Sequence, residues 1–563
     1  MKKNAKSYKF RAGSLGYLEG LTLSTESSVA LHYFGGLPYA LPPIGLNRFR
    51  PPRKLPSGFI YGTEACPGRF NGGGNACPQP PSRNPPDPSI VDEDCLQLNI
   101  WIPAMKAPKD GWPVFFYIHG GFLQVGSPNW RPDSLVPLLG DSAFKAIVVM
   151  PAYRLNVFGF LAGKALASEA RSTDTEAFGN MGLWDQRMAL KWVHENVRNF
   201  NGDPSNITIG GYSAGAYSSF YQLAHELYQV PARDCIIRRV IMLSNGPGAR
   251  PKTLEEHQAQ FDELVSTLNI PASASDAEKL ARLRALPWWL LVDAQRKLKL
   301  SEFKPLADGV FSPQDLFAKI NSGDFGRRMQ DRGISLLSGE CRDEHTTYRN
   351  WRTPDNSFSS LRVRLCAEYP EDVVESVLRR YCGGTSLPLP FSPPLSEEQA
   401  SLPPHCRDWQ DLFGRIYADL QVHGLQRGFY NALCKGGGLE PGKNFHRYSL
   451  HRRVDCVKAT LSVDLGVTHT SDLPLWFWGS DFPGGLTEEE KKWLGGWNET
   501  FAAFVKGERV YWGLTRPSEA RRWKENGETD VWEDDRWEEG LELWSIVHPK
   551  SRRDARLQKE NCA

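Results

Sequence analysis

The sequence predicts an α/β protein: one large, mostly parallel central sheet with helices on both faces and long inserted loops. Three observations predict it. Short apolar runs at residues 114–118, 146–150, 207–209, 240–243 and 334–337 carry no polar alternation, as expected of strands buried on both faces. Longer helical patterns lie between them. The clearest, residues 182–200, puts Leu183, Leu190, Val193 and Val197 on one face. Strands that alternate with helices in this way form parallel sheets covered on both sides, and such sheets place ligand sites at the carboxyl ends of their strands.

The 563 residues exceed a prior of about 150 per domain, which proteins with one large sheet often do. Pro-rich stretches at 78–89 and 387–404 read as loops, because proline neither donates to a sheet nor continues a helix. Candidate chemistry lies on both sides of the second, so residues 1–563 are read as a single catalytic domain. Hydrophobic residues make up 40% and charged residues 23%, ordinary for a globular chain. Lys and Arg number 67 against 65 Asp and Glu, a net +2, which gives no reason to expect nucleic acid or an anionic membrane as a partner.

No run of eighteen apolar residues occurs, so no transmembrane segment is expected. The basic stretch 1–11 lacks the apolar core of a secretory signal, so a cytoplasmic location is expected, or a secreted one if the N-terminus has been processed. The eleven cysteines include no C-x-x-C pair, which argues against zinc. Their number hints at one or more disulfides and pulls against the missing signal.

The most informative segment is Gly211-Tyr212-Ser213-Ala214-Gly215. A buried strand precedes it and residues 216–224 suit a helix. That is the setting of a G-x-S-x-G nucleophile turn, whose glycines let a strained serine stand above the sheet. The helix N-terminus beneath favours negative charge. In this fold an acid and then a histidine should follow along the chain. Upstream, the run 114–118 leads into His119-Gly-Gly-Phe-Leu123. Backbone N–H groups in such a turn can face a developing oxyanion, and Ala214, after the nucleophile, should add another.

Taken together, the chain resembles the type-B carboxylesterase family of cholinesterases, liver-type carboxylesterases and some fungal lipases. The resemblance rests on the block 34–52, beginning Phe34-Gly-Gly-Leu-Pro-Tyr, on Glu93-Asp-Cys-Leu-Gln-Leu-Asn-Ile-Trp101, on Ala152-Tyr-Arg-Leu-Asn-Val-Phe-Gly-Phe-Leu161 and on Gly179-Asn-Met-Gly-Leu-Trp-Asp-Gln186. It implies an α/β-hydrolase fold with three catalytic residues. Ser213 is the nucleophile. Glu344 is the acid, in the loop Ser338-Gly-Glu-Cys-Arg-Asp-Glu-His345, where Glu340 and Asp343 are rivals. His469 is the base, in Leu465-Gly-Val-Thr-His-Thr-Ser-Asp-Leu-Pro474, with His345 as its rival by proximity.

The resemblance also implies oxyanion donors at Gly121, Phe122 and Ala214, a Cys77–Cys95 disulfide and an Arg48–Glu93 ion pair. The chain departs from the family pattern twice. Phe122 stands where a third glycine is usual, and Tyr212 where glutamate is. Residues 78–94 also lack the Trp that stacks on choline in cholinesterases, so choline esters are not expected. Trp351, Trp476 and Trp478, near the acid and base loops, suggest an apolar substrate channel. No cofactor is expected: Gln229 stands where H-E-x-x-H needs a second histidine after His225-Glu226, and the glycine runs 72–74 and 436–438 lack nucleotide-binding form. The expected reaction is hydrolysis of an apolar carboxylic ester through an acyl-serine. The alternatives are acyl transfer by the same residues and a non-catalytic adhesion or binding module.

Overall fold

The computed structural model describes residues 5–26, 28–82, 85–173, 176–383 and 394–549. Residues 387–393 of the second Pro-rich stretch lie outside them; 394–404 run without helix or strand.

The thirteen strands among the described residues belong to one sheet. Its centre is parallel, in the order Ile147–Pro151, Trp112–Ile118, Gly202–Tyr212, Ile237–Leu243, Ser335–Cys341, Phe445–Leu450 and Glu519–Trp523. Each of the five runs read from the sequence overlaps one of these strands, the runs 146–150 and 334–337 beginning one residue before theirs. Alternate residues of the central strands enter two different cores. Val114, Phe116, Ile118, Ile207 and Ile209 pack on one face, while Phe115, Tyr117, Val148, Ile241 and Leu243 pack on the other. Burial on both faces explains the absence of polar alternation.

The structure adds what the apolar runs did not mark. Ala5–Arg11, Tyr17–Ser24, Val29–Pro38 and Gln97–Pro103 extend one side of the sheet in antiparallel register, and Thr529–Glu533 closes the other against Glu519–Trp523. The outermost of these strands are partly solvated and lack a continuous apolar run.

The helix read over 182–200 is an α-helix at Met181–Asn196 that tightens into a 3-10 turn at Val197–Phe200. Its buried Asp185 holds Arg154 by two hydrogen bonds, at 2.7 and 2.8 Å. Cys77 and Cys95 form a disulfide, with Cα atoms 5.1 Å apart. Beside it, Glu93 binds Arg48 Nε at 2.7 Å and Nη2 at 2.5 Å. Arg48 also donates to the carbonyls of Leu283 and Leu286, tying the N-terminal segment to the end of the helix Asp276–Ala285. Among the described residues, no helix is long and apolar enough to cross a membrane.

Candidate active site

Ser213 sits between the strand Gly202–Tyr212 and the helix Ala214–Gln229. Its backbone has φ +57° and ψ −124°, a sterically unfavourable region for a residue with a side chain. Its N–H donates to Leu243 O at 2.9 Å. The flanking glycines are required by space. A Cβ on Gly211 would lie 2.3 Å from the carbonyl carbon of Gly215, and one on Gly215 would lie 1.9 Å from Ile118 O.

Glu344 and His469 are brought together from loops 125 residues apart. His469 Nδ1 lies 2.5 Å from Glu344 Oε2, and Glu344 Oε1 accepts from Cys341 N at 3.0 Å. A carboxylate only accepts, so Nδ1 carries the proton and Nε2 is left as an acceptor. Nε2 is buried and has no hydrogen-bond partner. The rivals are placed elsewhere. Glu340 faces Arg427 at 3.1 Å and His423 at 3.3 Å. Asp343 accepts from Val467 N at 2.8 Å. His345 lines a different cavity with His405 and His423.

Three features of this centre were not read from the sequence. Tyr212 lays its ring 4.6 Å from the His469 ring and its hydroxyl 2.6 Å from Thr470 Oγ1, so the residue at the second departure braces the histidine loop. Tyr348 sits between the two ends of the site. Its ring centroid is 4.9 Å from that of His469, and its hydroxyl is beside the Ser213 side chain without a well-formed hydrogen bond. Thr468 joins the two loops, with the hydroxyls of Thr346 and Thr347 both 2.7 Å from its Oγ1.

The turn at 120–123 has positive φ at Gly121 (+112°), Phe122 (+60°) and Leu123 (+65°). Gly121 O accepts from Gln124 N and Val125 N, while no backbone acceptor among the described residues takes the N–H of Gly121 or Phe122. The Ala214 N–H opens its helix and has no acceptor within it. At the first departure, the Phe122 ring stacks on Trp351 at 3.8 Å with the planes 1° apart. Lys304 Nζ donates to Phe122 O at 2.9 Å.

A cavity of about 40 Å³ opens beside Ser213, with Phe122 and Ala214 in its wall. Its lining is mixed, with Phe122, Leu123, Tyr217, Ala249, Pro305 and Tyr348 beside charged groups. Arg250, Lys252, Lys304 and Glu368 contribute to the wall, whereas Trp476 and Trp478 are buried in the core on the other face of the sheet. Trp351 reaches the site only through its stack on Phe122. Among the described residues, no group of His, Cys, Asp and Glu is placed to hold a metal ion.

The chain is similar to known proteins along most of its length. The model of the carboxylesterase family matches residues 9–562. A carboxylic ester hydrolase of Gibberella moniliformis is 55% identical over 546 residues, 97% of either chain. An uncharacterized esterase/lipase of Schizosaccharomyces pombe is 37% identical over 543 residues, 95% of either chain. The acetylcholinesterase of Electrophorus electricus is 31% identical over 382 residues, 64% of this chain and 56% of that protein. With the mostly parallel sheet of the α/β-hydrolase fold and a match along nearly its whole length, the chain belongs to the carboxylesterase family.

Proposed function

We propose that the protein hydrolyses carboxylic esters through an acyl intermediate on Ser213. The observation that carries this reading is the contact between His469 and Glu344: Nδ1 lies against Glu344 Oε2, and Nε2 is buried with no hydrogen-bond partner. His469 Nε2 takes the Ser213 proton as Oγ attacks the acyl carbon. Negative charge then develops on the former carbonyl oxygen, facing the N–H groups of Gly121, Phe122 and Ala214. Collapse breaks the ester C–O bond, and His469 returns the proton to the leaving alcohol. Water repeats the sequence and frees the acid, while Glu344 stabilises the imidazolium at each step.

Labelling with a fluorophosphonate tests this directly. A single adduct on Ser213 of the folded protein is expected, and none on Ser213→Ala. Ester hydrolysis by Ser213→Ala should fall by roughly a million-fold, as when a comparable nucleophile is removed. An unlabelled wild type, or full activity in the alanine variant, overturns the proposal.

A further inference from the structure

The cavity beside Ser213 carries a charge that ester hydrolysis does not by itself require. Lys252 lines it and is 8% exposed. Its ammonium donates to the carbonyls of Cys366 at 2.8 Å and Ala367 at 3.0 Å. An ammonium has three donors, and the third has no acceptor among the described residues. Among the described residues no carboxylate lies within ion-pair distance of Lys252, although Glu368 acts on it from the same wall, whereas the cations around it are in direct ion pairs. Lys304 meets Glu368 at 2.9 Å, Arg352 meets Glu302 at 2.5 Å, Arg364 meets Glu368 at 3.2 Å, and Arg250 meets Asp372 at 2.6 Å. A buried ammonium with no carboxylate in direct contact is costly, and a ligand that brings one offsets that cost.

The side of the ester that enters this cavity follows from the proton path proposed above, on which this inference rests. His469 must face the leaving alcohol, and His469 is absent from the cavity wall, while the oxyanion residues Phe122 and Ala214 are in it. The cavity therefore receives the acyl part. A volume of about 40 Å³ admits only a short chain.

We infer that the acyl group carries a carboxylate at its far end, held by Lys252, so that the substrate class is the half-ester of a small dicarboxylic acid. Hydrolysis adds water across the acyl C–O bond and releases the dicarboxylate and an alcohol.

The test compares monoethyl glutarate with ethyl pentanoate, a neutral ester of the same chain length, by proton release. The wild type should favour the half-ester in kcat/KM by about tenfold or more, and Lys252→Gln should lower that ratio by about 30-fold, as expected when one partner of a buried charge pair is removed. Lys252→Arg should restore part of it. A wild type that prefers ethyl pentanoate, or a Lys252→Gln ratio within about threefold of wild type, overturns the inference. Fluorophosphonate labelling runs in parallel. A labelled Ser213 without half-ester preference sinks this inference alone, and an unlabelled wild type sinks the Ser213 reading beneath it. Should Lys252→Gln not fold, inhibition of the wild type decides: glutarate is expected to inhibit more strongly than pentanoate, and the reverse order overturns the inference.

Discussion

Phe122 and Leu123 hold backbone angles that cost on the order of 1–3 kcal/mol each for residues with side chains. The Trp351 stack and the Lys304 contact to Phe122 O keep the turn in that shape. Gly121, before them, has no freedom to change. A Cβ there would lie 2.0 Å from Val125 O, at φ +112°. Gly121→Ala is therefore expected to displace the Gly121 and Phe122 donors and lower kcat by about 10²–10³-fold, the range seen for loss of an oxyanion donor. Steady-state kinetics on a short ester checks it. At the acid, Glu344→Gln keeps the shape of the side chain but loses the charge and can present its NH2 to Nδ1. The expected loss in kcat is about 10⁴-fold, as for an amide replacing the orienting acid of a comparable triad. Glu344→Asp keeps the charge, loses reach and should fall less. Tyr212 works through packing. Tyr212→Phe preserves the ring on His469 and removes the bond to Thr470, so a stability loss of about 1 kcal/mol is expected, measured by urea unfolding.

The elements that meet at the site are tied by short-range contacts between distant loops. Thr468 is fully buried and faces the hydroxyls of both Thr346 and Thr347. Thr468→Val takes this partner from the Thr347 hydroxyl, while Thr346 keeps the carbonyls of Asp343 and Leu465; the cost is about 1–3 kcal/mol, and kcat should fall as well, because Thr468 adjoins His469. The disulfide closes seventeen residues between Cys77 and Cys95. The double variant Cys77→Ser/Cys95→Ser should lose roughly 3 kcal/mol in the chain-entropy account, read as a lower urea midpoint. At this scale the sequence was readable in some places and silent in others, for physical reasons. The central strands showed because both their faces are buried. The outer antiparallel strands did not, because their partly solvated residues break up the apolar pattern. Ser213 was legible because Gly211 and Gly215 are required by contacts within the motif itself. Trp476 and Trp478 misled, because an aromatic residue reads the same whether it lines a channel or fills a core. Lys252, Lys304 and Glu368 lie far apart in the chain and reach one cavity wall only through the fold, so no spacing announces them.

Across the whole molecule, burial shapes the response to acid. Burial lowers eight histidines from their ordinary value of 6.5, five of them furthest: His119, His225, His257 and His446 to about 4, and His548 to about 3. The folded state holds these rings neutral where the unfolded chain would protonate them. Between about pH 6.5 and 4 the unfolded state therefore binds more protons, and stability is lost as pH falls, by about 1.4 kcal/mol per pH unit for each such histidine. Carboxylates extend the loss to lower pH. Burial opposes ionisation of Glu368, but Lys304 and Arg364 overcome it and hold the group at about 2. Arg284, with Arg50, brings Glu169 to about 2 against the opposing effect of burial. Depressed acids contribute stability above about pH 4.5 that is lost towards pH 2. The expected profile is a Tm that changes little between pH 7 and 8 and declines from about pH 6.5, before carboxylates titrate. His548 isolates the cause. It is buried, stacks on Phe317 at 4.0 Å and bonds Gly248 O at 3.1 Å. His548→Gln can keep a donor to that carbonyl without a titrating ring. Urea unfolding of both proteins at several pH values should show the variant's slope reduced by about one proton between pH 6.5 and 4. Equal slopes would mean that His548 is not among the groups that drive acid unfolding, and a flat wild-type profile down to about pH 4.5 would remove the histidines from the account altogether.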